Sequence, residues 1–295
     1  MKSTELILNA DTSVYHLNLL PSDIAETIIL VGDPNRVARV AERFDFIELT
    51  KGKREFQTIT GSLSGHRITV ISTGIGTDNI DIVLNELDAL ANIDFRTRTV
   101  KEHLKSLKII RMGTCGGLQA QHPPGTLVLS HASIGLDALM PFYVTQGEGV
   151  FPFEAAARKV LGDFPRIAAL AYGARGDQAL SMVASESFPD VVQGITFTAP
   201  GFYGPQGRSL GRVPVALPAL PDLMATVSAE GLTTLNMEME TSGILALGRA
   251  LGHQCGSLSV ILANRPTGVF HPDPAAAVDQ LIDRGLELVS AWIKS

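Results

Sequence analysis

The sequence predicts a single α/β domain, residues 1–295, wrapped around a largely buried, mixed sheet. Three observations carry this. Apolar runs at 27–31 (TIILV), 107–110 (LKII) and 257–263 (SLSVILA) have the length and side-chain types of covered strands. They alternate with segments whose apolar residues recur at helical spacing. Of the 295 residues, 45% are hydrophobic and 18% charged, enough for a large core, and no repeat, low-complexity tract or linker divides the chain.

Taken in order, residues 1–15 read as a polar arm, with His16 following in VYHLNL. A lone histidine beside apolar residues is ordinarily a surface or core group. Strand 27–31 runs straight into Gly32-Asp33-Pro34-Asn35-Arg36. Asp33 suits a helix N-cap and Pro34 the first helical position, with Val37, Val40 and Ala41 as the inward face. Residues 56–72 alternate as a hairpin turning at Ser64-Gly65, with Arg54 and Glu55 just before it. The loop STGIG at 72–76 leads into a helix facing inward with Ile80, Val83, Leu84, Leu87 and Leu90, and Asp78 is its expected N-cap.

Residues 92–106 are charged and read as a surface insertion. The next strand ends in RMGTCGG, 111–117, where three glycines are expected to turn the backbone sharply. Further strands are expected at 126–134 and 167–172, and a helix at 154–161. Residues 137–153, with Pro141, Gly147, Gly149 and Pro152, read as a long loop or lid. Periodicity says little about 175–215. Asn236–Glu240 (NMEME) is expected to open a helix. The last helix starts at Asp273-Pro274 and buries Val278, Leu281, Ile282, Leu286, Val289 and Trp292.

Composition limits function. The net charge of −6, with no basic run, argues against nucleic acid as a partner, so an anionic ligand must be small and held by local arginines. Two distant cysteines, Cys115 and Cys255, form neither a disulfide framework nor a metal pattern, as expected in a reducing cytoplasm. The first residues lack an apolar signal core, and no window reads as a membrane span.

Several loops carry usable chemistry. A strand, a glycine turn and a helix start at 27–36 aim backbone N–H groups at one point, with Arg36 beside them. RMGTCGG adds a guanidinium fork, the Thr114 hydroxyl and accessible amides, the parts of an oxyanion site. FYGPQGR at 202–208 combines an aromatic ring, an amide and a cation. NMEMET at 236–241 supplies two carboxylates. Each has a plainer reading: a capped helix with a solvated arginine, a glycine-rich surface loop, or acidic residues suiting a helix start.

In this order and spacing, GDPNR, RMGTCGG, FYGPQGR and NMEMET, with REF at 54–56 and STGIG at 72–76, resemble the nucleoside phosphorylases, in particular the uridine phosphorylase branch. The resemblance spans His16 to Arg265. It implies a three-layer α/β/α fold with a distorted central barrel, assembled as a homodimer or a hexamer of dimers with shared sites. By the same resemblance Gly32, Arg36, Arg111 and Thr114 bind phosphate, and Arg54 reaches the phosphate of a neighbouring subunit. His16 crosses the interface to the ribose 5′-hydroxyl. Glu238, Met239 and Glu240 hold the ribose, Glu240 at its 2′- and 3′-hydroxyls. Phe202, Gln206, Arg208 and Arg265 hold the pyrimidine. Cys115 stands where the family usually has threonine, Gly207 where an acidic residue is common, and Asn79 where a serine belongs to an intersubunit cation site involving Glu55.

The implied chemistry is phosphorolysis, uridine and phosphate giving uracil and ribose 1-phosphate. Breaking an N-glycosidic bond builds positive charge on the sugar and negative charge on the base. Arginine-held phosphate is a positioned nucleophile. Gln206 and Arg208 donate to the departing base, and their bonds strengthen as it becomes anionic. Inorganic phosphate is a co-substrate, and no metal or organic cofactor is signalled. The competing readings are a purine nucleoside phosphorylase, a water-using nucleosidase, and a non-catalytic nucleoside-binding protein.

Overall fold

The computed structural model describes residues 1–145 and 150–295. The expected 137–153 loop lies partly outside them, Gly147 and Gly149 included. Its described part holds a 3₁₀ turn at Met140–Phe142.

The elements follow one another as β1 (Thr27–Val31), α1 (Pro34–Ala41), β2 (Phe46–Lys53), β3 (Phe56–Leu63), β4 (His66–Ser72), α2 (Thr77–Asn92), β5 (Ile93–Asp94) and β6 (Thr99–Val100). Then come β7 (Lys108–Gly117), β8 (Leu127–Gly135), α3 (Pro152–Val160), α4 (Pro165–Ala168), β9 (Tyr172–Arg175), α5 (Gln178–Ser187) and β10 (Val191–Thr198). The chain ends with α6 (Leu220–Ala225), β11 (Ser228–Ala229), β12 (Leu232–Glu238), α7 (Thr241–Ala250), β13 (Gln254–Asn264), β14 (Val269–Phe270) and α8 (Pro274–Ile293).

One mixed sheet organises them, in the order β11-β12-β10-β8-β13-β7-β1-β4-β3-β2, and β12 also pairs with β7. That extra pairing closes β7, β13, β8, β10 and β12 into a barrel. Strands β1, β4, β3 and β2 extend from it as an open sheet, β9, β11 and β14 pair onto barrel strands, and β5 and β6 form a separate hairpin. Strand parity splits the core. On β1, Ile29 and Val31 pack with α1, α5 and α8, and Ile28 and Leu30 pack on the other face with α2 and α7. A third cluster packs α3 and α6 on β8 and β10, centred on Phe153, Ile195 and Phe197. Helices therefore cover both faces, the three-layer α/β/α arrangement with its distorted barrel.

Much local reasoning holds. Asp33 caps α1 by accepting from Asn35 N at 2.9 Å, and Asp273 caps α8 through Ala276 N at 3.0 Å. The inward residues named for α1, α2 and α8 are all buried. The hairpin turns at Ser64 and Gly65, both at positive φ.

Several expectations need correction. RMGTCGG is not a turn: it is the second half of β7, paired to β13 on one side and to β12 on the other. Without side chains, Gly116 and Gly117 let the strand bend at the barrel corner. NMEME opens no helix; Asn236 to Glu238 end β12, and α7 starts at Thr241. Residues 165–168 form α4, and the strand begins only at Tyr172. Gly76, at φ 96°, is the N-cap of α2, and Asp78 sits in its first turn. The N-terminal arm is anchored, with Leu6 and Val14 buried and Leu8 bridged to Val14. Strand β2 went unread because it is a sheet edge with mostly exposed residues and no apolar alternation. Among the described residues no helix is long and apolar enough to cross a membrane.

Candidate active site

The barrel strands end at one open cleft of about 1030 Å³, lined by residues from β7, β12, β13 and the loops at 32–36, 74–75 and 202–208. Gly32, Arg36, Arg111, Thr114, Phe202, Gln206, Arg208, Glu238, Met239, Glu240 and Arg265 all line it. His16 and Arg54 do not.

At one end Arg111 is 6% exposed, on β7. Its Nη2 donates to Glu240 Oε2 at 2.6 Å and lies 3.4 Å from Glu238 Oε2, and its Nη1 donates to Ser259 Oγ at 3.0 Å. The guanidinium folds back over its own strand, so a Cβ at Gly113 would stand 1.9 Å from Nη1. Gly113 therefore serves the site by leaving room for the fork. Burial lowers the Arg111 pKa, but Glu240 and Glu238 more than reverse this, and the net shift is upward.

Arg36, in the first turn of α1, donates through Nη1 to Met112 O at 3.2 Å. Burial, and then the like charge of Arg111, push its pKa down to about 10, so it stays cationic at neutral pH. Two guanidiniums on separate elements thus share a corner, and an anion bound between them relieves their repulsion. Gly32 adds a backbone approach to this corner, where a Cβ would stand 3.4 Å from Gly74 O. Thr114 borders it. The adjacent Cys115 is buried, its Sγ donating to Val260 O at 3.5 Å, and burial pushes the thiol up to about 12. It is an inert wall.

The two carboxylates are held differently. Glu240 Oε1 accepts from Gly76 N at 2.9 Å, and burial, opposed by Arg111, raises its pKa above the ordinary carboxylate range. Glu238 Oε2 accepts from the amides of Glu240 and Thr241, both at 2.9 Å, and so satisfies the first free amide of α7. Its Oε1 accepts from Thr198 Oγ1 at 2.6 Å.

At the far end, the loop after β10 makes a 3₁₀ turn at Gly204–Gln206. Arg208 stacks with Cζ 3.8 Å from the Phe202 ring centroid and donates to Phe202 O at 2.6 Å. It also donates to Gln206 Oε1, which leaves the Gln206 NH₂ as the amide's free donor end. Arg265 donates to Gln206 O at 3.2 Å. Burial, then Arg265, lower the Arg208 pKa. Gly207 is left-handed at φ 70°, and a Cβ there would meet Pro218 O at 2.3 Å. An acidic side chain at 207 does not fit this turn.

His16 and Arg54 cluster elsewhere, on either side of Tyr15. The His16 ring centroid is 4.9 Å from that of Tyr15, and Arg54 Cζ is 5.9 Å from it. His16 Nδ1 lies 2.6 Å from Glu86 Oε1, leaving Nε2 as the nitrogen available to a ligand. STGIG contributes Ile75 to the lining and the Gly76 amide to Glu240, while sequence reasoning missed Leu262, Val269 and Phe270, which add apolar lining, and Ser259 and Thr198, which hold charged groups. Isolated serines, threonines and apolar residues carry no local signal.

A model of the phosphorylase superfamily matches residues 26–294. The chain belongs to the phosphorylase superfamily. Within this superfamily, the uridine phosphorylase of Thermococcus kodakarensis is 26% identical over 282 residues, 94% of this chain and 87% of that protein. The uridine phosphorylase of Treponema pallidum is 28% identical over 262 residues, 88% of this chain and 86% of that protein. Among solved structures, a Trypanosoma brucei nucleoside phosphorylase described as showing uridine phosphorylase activity superposes with a TM-score of 0.86. It is 28% identical, and the match covers 98% of this chain and 100% of that one.

Proposed function

We infer that this chain is a uridine phosphorylase-type pentosyltransferase, converting a pyrimidine nucleoside and phosphate to free base and pentose 1-phosphate. The observation that carries this is the sequence of groups along one cleft: Arg36 and Arg111 at one end, Glu238 and Glu240 between, and Gln206, Arg208 and Arg265 at the other. The uridine phosphorylases matched over most of their length support the same reading.

Phosphate lies between Arg36, Arg111, Thr114 and the Gly32 backbone. Glu240, already bonded to Arg111, accepts from ribose hydroxyls and ties sugar position to phosphate position. Met239 and Glu238 complete the ribose wall. As the glycosidic bond breaks, charge grows on the pyrimidine carbonyls, where the Gln206 NH₂ and the cations Arg208 and Arg265 stabilise it. Phe202 bounds the ring. Fixed arginines supply the electrostatic stabilisation, so the mechanism calls for no metal or organic cofactor, with inorganic phosphate as co-substrate.

Arg54 and His16 lie outside this chain's cleft, which supports sites shared across a homodimer, or a hexamer built of dimers. Mixing Arg54→Ala subunits with Arg111→Ala subunits restores activity if they act in a neighbour's site, and leaves it absent, with subunits exchanging, if they do not. Cys115 and Cys255 are free thiols, which supports a cytoplasmic location without disulfides. Neither nucleic acid nor a membrane is among the proposed partners.

The test is ultraviolet assay of base release from uridine, 2′-deoxyuridine, cytidine and inosine, with and without phosphate. Uracil release that requires phosphate and yields ribose 1-phosphate is expected. Equal release without phosphate indicates a hydrolase, a preference for inosine indicates a purine enzyme, and binding without release indicates a carrier.

A further inference from the structure

We propose that Thr198 is a positioning residue for substrate, acting through Glu238; this rests on the reading of Glu238 as part of the ribose wall. Thr198 ends β10, and the parallel pairing of β10 with β12 sets it in register with Glu238. Both are essentially enclosed, at 0% and 4% exposure. The hydroxyl has one proton and accepting lone pairs, and its contacts account for both roles. It accepts from Ser242 N at 3.0 Å and donates to Glu238 Oε1 at 2.6 Å. Because the Ser242 amide can only donate, the hydroxyl proton is directed to the carboxylate.

The other Glu238 oxygen is committed elsewhere, to the amides of Glu240 and Thr241. Oε1 is therefore the oxygen with accepting capacity left for a ligand hydroxyl. Among the described residues, Thr198 is the hydrogen-bond partner that sets its direction. Ser242 extends the arrangement away from the cleft. Its Oγ donates to Asp137 Oδ2 at 2.7 Å, and Tyr172 Oη lies 2.8 Å from both Asp137 oxygens. The amide that orients Thr198 thus belongs to a residue whose own side chain is anchored. An aliphatic residue at 198 would keep the strand, lose the donor to Oε1 and strand the Ser242 N–H without an acceptor.

The experiment compares Thr198→Val and Thr198→Ser with the unaltered chain, measuring KM for uridine, KM for phosphate, kcat and thermal midpoint. Thr198→Val is expected to lower kcat/KM for uridine at least tenfold, mainly through a higher uridine KM, with phosphate KM within twofold. Thr198→Ser, which keeps the hydroxyl, is expected to stay within threefold. If Thr198→Val does not fold, Thr198→Cys, a weaker donor of similar size, takes its place under the same criterion. An unchanged uridine KM overturns the proposal. So does an equal rise in both KM values, or a serine variant as impaired as the valine one. Failure of the unaltered chain to release uracil with phosphate faults the functional reading instead, and is seen before any variant is made.

Discussion

The two ends of the cleft are built on different principles. At the phosphate–ribose end, Arg111, Glu238 and Glu240 are at most 6% exposed, and their backbone lies on or beside barrel strands whose register is fixed on both sides. At the proposed base end, Gln206 is as buried, at 3%, but Phe202 is 51% exposed, and Arg208 is held by its own loop through Phe202 and Gln206. The first is a charged network that shares its groups with the core. The second is a single loop seated on the barrel rim, touching it through Arg265 and confined at Gly207 by Pro218. On the proposed reading, the phosphate and ribose groups are thus tied to fold stability, and the accessible part of the base loop, Phe202 and Arg208, sits where change costs the fold little.

Arg111→Ala should be the most damaging substitution. It leaves Glu238 and Glu240 buried without their cation, a change that ordinarily destabilises by about 3–5 kcal/mol. Removing the transition-state cation should cost about 10²–10³-fold in kcat. A thermal melt and a phosphorolysis assay on one preparation check both. Loss of activity with an unchanged melting temperature would break the proposed link between site and core.

Gln206→Ala and Arg208→Ala should instead separate the two. Each should lower kcat/KM for uridine at least tenfold, about 1.4 kcal/mol of lost transition-state binding, with phosphate KM little changed and, for the more accessible Arg208, melting temperature little changed. A comparable rise in phosphate KM would show that the ends are not independent.

Gly113→Ala sharpens the comparison. The strand conformation tolerates alanine, but the new methyl must displace the Arg111 fork from 1.9 Å. Overpacking of this kind costs about 1–3 kcal/mol. Phosphate KM should rise several-fold, before any effect on base selectivity, as a nucleoside panel would reveal.

The smallest expected effect is on pH. Glu240 has a raised carboxyl pKa, chiefly from burial, so it takes up a proton as pH falls through a value above the ordinary 4.5. Uridine kcat/KM should fall along that acid limb, which Glu240→Gln should remove. Stability runs the other way. A carboxyl with a raised folded pKa favours the folded state at low pH and loses that contribution as pH rises through it. Activity loss that coincides with acid unfolding would contradict this assignment.

The split between the two ends also governs what was legible. Helices α1, α2 and α8 were readable because their inward residues recur at helical spacing and because Asp33 and Asp273 announce two of the starts. RMGTCGG misled because glycine suits a turn and a strand equally; what makes it a strand is pairing along its whole length with β13, and at Gly116 and Gly117 with β12, both more than a hundred residues away in sequence. NMEME misled because acidic residues suit a helix start, and Glu238 does accept from the first amide of α7, from the end of the preceding strand. The short apolar run at 167–172 fits either element by periodicity.

By itself the sequence determined the layered α/β class, most strand and helix faces, and most of the arginines, carboxylates and amides that line the cleft. Those depend on local pattern and residue type. Only the tertiary structure decided that the sheet closes through β7 and β12, that Gly113 makes room for Arg111, and that Gly76, Ser259 and Thr198 hold the charged groups in place. It alone separates Arg54 and His16 from the cleft. Each of these is a contact between residues distant in the chain, set by strand register and burial, and no local spacing encodes it.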